Sequence, residues 1–144
     1  MIGGGKEDKK FIAKIIRQLK EGKKVIYAVD DKYGTPTYTV DFASAVCLLV
    51  KTDWYGLYHA ACTGSGNRVD VAREIVRLLK VDDVEVVPVS SNFFQDVFPA
   101  PRPRSEMLRN YVLELRGLNI MRPWKEALAE YLARSYHEIG EGVR

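Results

Sequence analysis

The chain has 144 residues, enough for one domain with a buried core. Its 47% hydrophobic and 28% charged residues exclude a disordered tail, a collagen-like fibre and a disulfide miniprotein. The net charge is +3, and the basic excess sits at the N-terminus: residues 1–24 hold eight Lys/Arg against three acids, whereas residues 25–98 hold six against ten; a lysine-rich helix face in solvent accounts for that, and no RNA-binding aromatic motif, zinc finger or basic zipper accompanies it, so no nucleic-acid partner is expected.

In chain order, residues 6–21 predict an amphipathic helix. Phe11, Ile12, Ile15, Ile16 and Leu19 fall on one stripe, with Lys10, Lys14, Arg17 and Lys20 on the wet side and Gly22 as the stop. Val25–Val29 reads as a short buried strand. Asp30–Thr37, with its turn residues and Pro36, reads as a loop. A second helix is expected from Asp41 to Val50, with Phe42, Ala45, Val46 and Leu49 facing inward. Gly56–Ala61 looks like a strand that is apolar on both faces, the pattern of a parallel-sheet interior. Thr63–Asn67 is a turn, either an anion site at a helix N-terminus or, the plainer reading, a cap supplied by Ser65 or Asn67, and Arg68–Lys80 a third helix with Val69, Ala72, Ile75, Val76 and Leu79 inward. Val84–Val89 is another strand, residues 90–106 an irregular segment, Met107–Arg116 a short helix, and Pro123 opens a last helix through Tyr136. Alternating elements of this kind predict an α/β fold of about four helices and three to four short strands, in a single domain over residues 1–144.

The longest apolar run, Ala45–Val50, is far short of the roughly 20 residues that cross a bilayer, and Met1-Ile2-Gly3-Gly4-Gly5 runs into lysines rather than opening a signal segment. A cytoplasmic chain with no membrane partner is expected. Cys47 and Cys62 fit a reducing compartment as small buried hydrophobes. With His59 and His137 they are too scattered for a metal site.

Three loop motifs follow in fixed order: Asp30-Asp31-Lys32-Tyr33-Gly34-Thr35-Pro36-Thr37 with Asp41-Phe42-Ala43; Gly56-Leu57-Tyr58-His59-Ala60-Ala61 closed by Gly64; and Pro99-Ala100-Pro101-Arg102-Pro103 with Leu108 and a terminal Trp124-Lys125-Glu126-Ala127-Leu128. Their order and chemistry resemble the C-terminal half of the dTDP-4-dehydrorhamnose reductase family, extended-type short-chain dehydrogenase/reductases, over about residues 1–135. The opening Met1–Gly5 resembles the family's loop just past the strand that follows the catalytic lysine.

That resemblance implies the C-terminal, nucleotide-sugar-binding part of a Rossmann-like fold, whose complete enzyme reduces a dTDP-4-dehydro-6-deoxy sugar with NADP(H). The family's glycine-rich cofactor loop and Tyr-x-x-x-Lys pair are not found in these 144 residues: no strand precedes Gly3-Gly4-Gly5, and no Tyr is followed four positions later by Lys. The chain alone is therefore expected to be inactive and to bind no cofactor, with a dTDP-sugar as ligand. The missing Rossmann half or a second copy of the chain is the expected partner, the latter as a homo-oligomer. The alternative is a non-catalytic oligomerising or binding subunit derived from the same family.

For site residues, the resemblance points to Arg102. A guanidinium makes forked, charge-assisted hydrogen bonds to a diphosphate, and Pro101 and Pro103 stiffen its backbone; a helix-capping or surface-pairing arginine is the plainer reading. Tyr33, Gly34, Thr35 and Thr37 are either sugar or nucleotide contacts or a structural turn. Glu106 stands where the family commonly has Ser, putting a carboxylate near the expected diphosphate. Asp30 and Asp31, adjacent in extended backbone, point to opposite faces and read as turn-makers rather than a catalytic pair. His59 reads as a packed, hydrogen-bonded histidine, and Phe93, Phe94 and Phe98 as a plug on a core edge rather than a base-stacking platform.

Overall fold

The computed structural model describes residues 1–4, 8–97 and 100–136; Gly5, Phe98, Pro99 and His137, named above, lie outside the described residues. Helix α1 (Phe11–Lys20) buries Ile12, Ile15, Ile16 and Leu19, as its stripe requires. The chain then enters β1 (Val25–Val29), which pairs in parallel with β3 (Glu85–Val89), in register from Val25↔Glu85 to Val29↔Val89. Parallel neighbours need a long crossover. Here it contains α2 (Thr39–Leu49) and α3 (Arg68–Leu78), and α3 packs on both strands. A second parallel pair joins β2 (Tyr33–Gly34) to β4 (Ser105–Glu106). A 3-10 turn at Ser91–Phe94, α4 (Tyr111–Leu115) and α5 (Trp124–Tyr136) complete an α/β chain. Ile26 and Ala28 of β1, Ala72 and Ile75 of α3, and Ala127 and Leu128 of α5 form the centre of the core. Among the described residues no helix is long and apolar enough to cross a membrane.

The sequence reading is corrected at four places. Gly56–Ala61 is not a strand: among the described residues no neighbouring strand pairs with it, and Leu57 (83%) and His59 face solvent. His59 is thus exposed, not packed. Helix α2 starts at Thr39, whose N–H donates to the Ile2 carbonyl at 2.9 Å, and it buries Asp41 and Ala45; Phe42 and Val46, expected inside, are each 39% exposed. Cys47 on that helix is exposed as well, unlike Cys62, which is buried as expected. Finally, the expected loop 30–37 and the irregular segment 90–106 each contain a short strand, β2 and β4, because each supplies the other's hydrogen-bonding partner.

Gly3 has φ +141°, and a Cβ there would lie 2.3 Å from Thr39 Oγ1. The glycine is needed for close packing on α2.

Candidate functional site

The loop motifs converge on β2. Tyr33 N–H donates to the Arg104 carbonyl at 2.9 Å, and Gly34 exchanges hydrogen bonds with Gly66 at 3.0 and 3.1 Å while lying in register with Glu106. Leu108 N–H donates to Thr35 Oγ1 at 2.9 Å, and Lys32 Nζ donates to the Arg102 carbonyl at 2.8 Å. Residues 32–35, the turn at 66 and the arginine–proline segment thereby form one hydrogen-bonded ledge, although more than 60 positions of sequence separate its two ends.

The candidate residues occupy different depths on this ledge. Tyr33 and Arg102 are exposed, and Gly34 and Thr35 half-buried. A Cβ on Gly34 would meet no protein atom within 4 Å, so its missing side chain opens space toward solvent. Thr37 is only 6% exposed; its hydroxyl donates to the Thr35 carbonyl at 3.0 Å and accepts from Cys62 N–H at 3.4 Å, so it braces the loop from beneath. Among the described residues Arg102 forms no ion pair, which leaves its guanidinium available to a ligand.

Asp31 holds the turn at Ser91 with its side chain, whereas Asp30 acts through its backbone, its N–H donating to the Val89 carbonyl at 3.1 Å. The Asp31 carboxylate accepts the Ser91 backbone N–H at 3.1 Å and its hydroxyl at 3.0 Å, and the Ser91 backbone bond is the main reason its pKa lies below the ordinary aspartate range. Asn67 caps α3 in a reciprocal capping box with Asp70 and also donates from Nδ2 to the Asp30 carbonyl at 3.1 Å, which binds the turn to the first loop. Phe93 stacks on Tyr27 at 5.2 Å and is 57% exposed, while Phe94 meets it edge-on at 5.0 Å, so the pair covers β1's outer face without being sealed in.

Sequence reasoning missed the supports. Asn110, 4% exposed, accepts Ala61 N–H at 2.9 Å and donates to the Ala61 carbonyl at 2.7 Å. Arg122 forks onto buried Asp41 at 2.7 and 3.2 Å and reaches Glu130 at 2.6 Å, tying α2 to α5; those bonds push its pKa up. Trp124 Nε1 donates to the Ser65 carbonyl at 3.3 Å, and its ring lies against Gly64 and Gly66 so closely that a Cβ on either would come within 3.3 Å. Each is a polar or aromatic residue at an element's edge, but its partner is set by tertiary structure. Cys62, buried and beside the Asp41 carboxylate, has its pKa raised chiefly by burial, which keeps the thiol protonated and a poor nucleophile.

An α/β scaffold carrying one ledge of exposed cations, hydroxyls and backbone groups defines a ligand-binding domain. Residues 4–137 match the family model described as the RmlD substrate binding domain, and the chain belongs to that family. It is 37% identical to a dTDP-4-dehydrorhamnose reductase of Mycobacterium tuberculosis over 130 residues, covering 90% of this chain and 42% of the relative. Two solved structures are similar. A dTDP-4-dehydrorhamnose reductase from Clostridium acetobutylicum has 38% identity and a TM-score of 0.81, over 89% of this chain and 44% of the other. One from Bacillus anthracis, in complex with NADP, has 32% identity and a TM-score of 0.82, over 91% and 45%. The chain therefore spans less than half the length of these relatives.

Gly3 is held against Thr39 by packing, so its close backbone approach serves α2 rather than a phosphate.

Proposed function

We propose that the chain is the nucleotide-sugar-binding portion of an NADP-dependent dTDP-4-dehydrorhamnose reductase acting in dTDP-L-rhamnose biosynthesis. The observation that carries this reading is the convergence of the loop motifs on β2, with the Arg102 guanidinium free of any ion pair among the described residues, in a chain of this family. Arg102 takes the diphosphate through forked hydrogen bonds. Tyr33, Gly34 and Thr35 meet the sugar or nucleotide at the open edge, and Thr37 holds their loop in place. NADP(H) and the proton donor for hydride transfer belong to a cofactor part outside these 144 residues, so the chain alone is inactive as a reductase. The cofactor part, or a second copy of the chain, covers the exposed apolar surface.

A second reading, a non-catalytic oligomerising or binding subunit, is supported by that same surface, where Tyr55 is 86% and Leu57 83% exposed. Calorimetric titration separates the two. On the first reading dTDP binds the chain, Arg102→Ala weakens it at least tenfold, and NADPH does not bind. Absence of dTDP binding supports the second reading, and NADPH binding contradicts the division of labour proposed here.

A further inference from the structure

The first residue of α3 is a cation that the reading above does not use. The Asn67 cap delivers Arg68 at the helix start, one residue beyond the cap and two beyond Gly66. Gly66 is bridged to Gly34, and Gly34 lies in register with Glu106 on its other side. Gly66 and Glu106 therefore flank β2 from opposite sides, two interstrand spacings of ~4.8 Å apart, with Arg68 two residues beyond the one and Arg102 four residues before the other. The Arg68 guanidinium lies over the Phe11 ring, 4.8 Å from its centroid, so α1 props it up and removes water from one of its faces although the residue as a whole is exposed.

Among the described residues neither Arg68 nor Arg102 forms an ion pair. The basicity of Arg68 is lowered, first by burial of the guanidinium and then by the charge of Arg102, with the Glu106 carboxylate acting in the opposite direction. Two mutually repelling guanidinium groups gain free energy when an anion enters between them, and the adjacent phosphates of a diphosphate offer each a separate fork. Glu106, where a hydroxyl was expected, acts on Arg68 through its charge without an ion pair between them.

We infer that Arg68 and Arg102 form a two-armed clamp for a diphosphate across β2, with Arg68 also neutralising Glu106. The inference rests on the nucleotide-sugar reading proposed above and adds to it a residue, an element and a compensating pair.

The test is calorimetric titration of dTDP, and separately NADPH, into the unmutated chain and into Arg68→Ala, Arg68→Lys, Arg102→Ala, Glu106→Ser and the Arg68→Ala/Glu106→Ser double variant, each checked for native circular dichroism. Arg68→Ala is expected to weaken dTDP binding about tenfold, the loss of one charged hydrogen-bonding arm. Arg68→Lys should keep part of the affinity, because it retains the charge and loses the fork. Glu106→Ser should tighten binding and, in the double variant, recover part of the loss, a recovery that a merely structural role for Arg68 would not produce. If Arg68→Ala does not fold, Arg68→Lys and Glu106→Ser carry the test: unchanged affinity in both overturns the clamp. Loss of binding in Arg102→Ala with full affinity in Arg68→Ala overturns the clamp and leaves the nucleotide-sugar reading standing. No dTDP binding by the unmutated chain overturns that reading, and NADPH bound in preference to dTDP assigns the clamp to the wrong diphosphate and overturns it too.

Discussion

Asn110 stands in for a neighbouring strand at one residue. Its carboxamide satisfies both backbone groups of buried Ala61, and its Nδ2 also reaches Asn119 Oδ1 at 3.0 Å. Removing it leaves a buried donor and a buried acceptor unpaired, each costing far more than an average hydrogen bond contributes. Asn110→Ala should lower stability by about 2–3 kcal/mol, measured as a shift of the urea midpoint; an unchanged midpoint would mean that water takes over both bonds. The two thiols differ in the same local way. Exposed Cys47 should react quickly with a thiol reagent at pH 8, and Cys62 only on unfolding. Because burial raises the Cys62 pKa in the folded state, its contribution to stability is complete below the ordinary thiol pKa and is lost as the pH rises through the raised value. Equal reaction rates for both thiols would contradict the burial of Cys62.

Among the elements, α3 ends on a residue whose backbone conformation its side chain disfavours. Lys80 has φ +54°, with its N–H bonded to the Arg77 carbonyl at 3.2 Å and that of Val81 to the Val76 carbonyl at 3.2 Å, the two closing bonds of a left-handed helix end. Lys80→Gly removes the Cβ conflict and should raise stability by about 1 kcal/mol. A thermal melt checks it, and a lower melting temperature would show that the unfolded-state entropy of glycine wins. Helices α1, α3 and α5 were legible in the sequence because their apolar spacing coincides with the faces they bury, and β1 and β3 were legible as strands but not as each other's partner. Helix α2 was legible as a helix and not as a face: its apolar residues surround it, so periodicity cannot say that Asp41 and Ala45 turn inward while Phe42 and Val46 turn out. Gly56–Ala61 was misread because a strand depends on a neighbour, and composition cannot supply one. In the candidate site, Arg102 and the Tyr33–Thr37 loop stood out through the family resemblance. Arg68 and Asn110 did not, since their roles depend on the Gly34–Gly66 bridge and on Ala61 lying 49 positions away.

For the whole molecule, many large apolar groups are exposed, among them Phe42, Val46 and Val50 on and after α2, Trp54, Tyr55 and Leu57 in the segment that follows, and Tyr111 and Leu115 on α4. Arg116 stiffens part of this surface, lying 5.1 Å from the Trp54 ring and 5.2 Å from the Tyr58 ring and bonded to the Tyr58 hydroxyl. Exposed apolar groups that adjoin one another mark interaction surfaces on proteins. The isolated chain should therefore self-associate, with a light-scattering mass that rises with concentration. A monomer mass maintained at high concentration would contradict this expectation.

An amide NMR titration of the chain with dTDP tests most directly whether nucleotide-sugar binding belongs to the ledge around β2. The shifted resonances are expected to cluster at Tyr33–Thr35, Gly66–Arg68 and Arg102–Glu106. Shifts confined to other parts of the chain, or none at saturating dTDP, would contradict it.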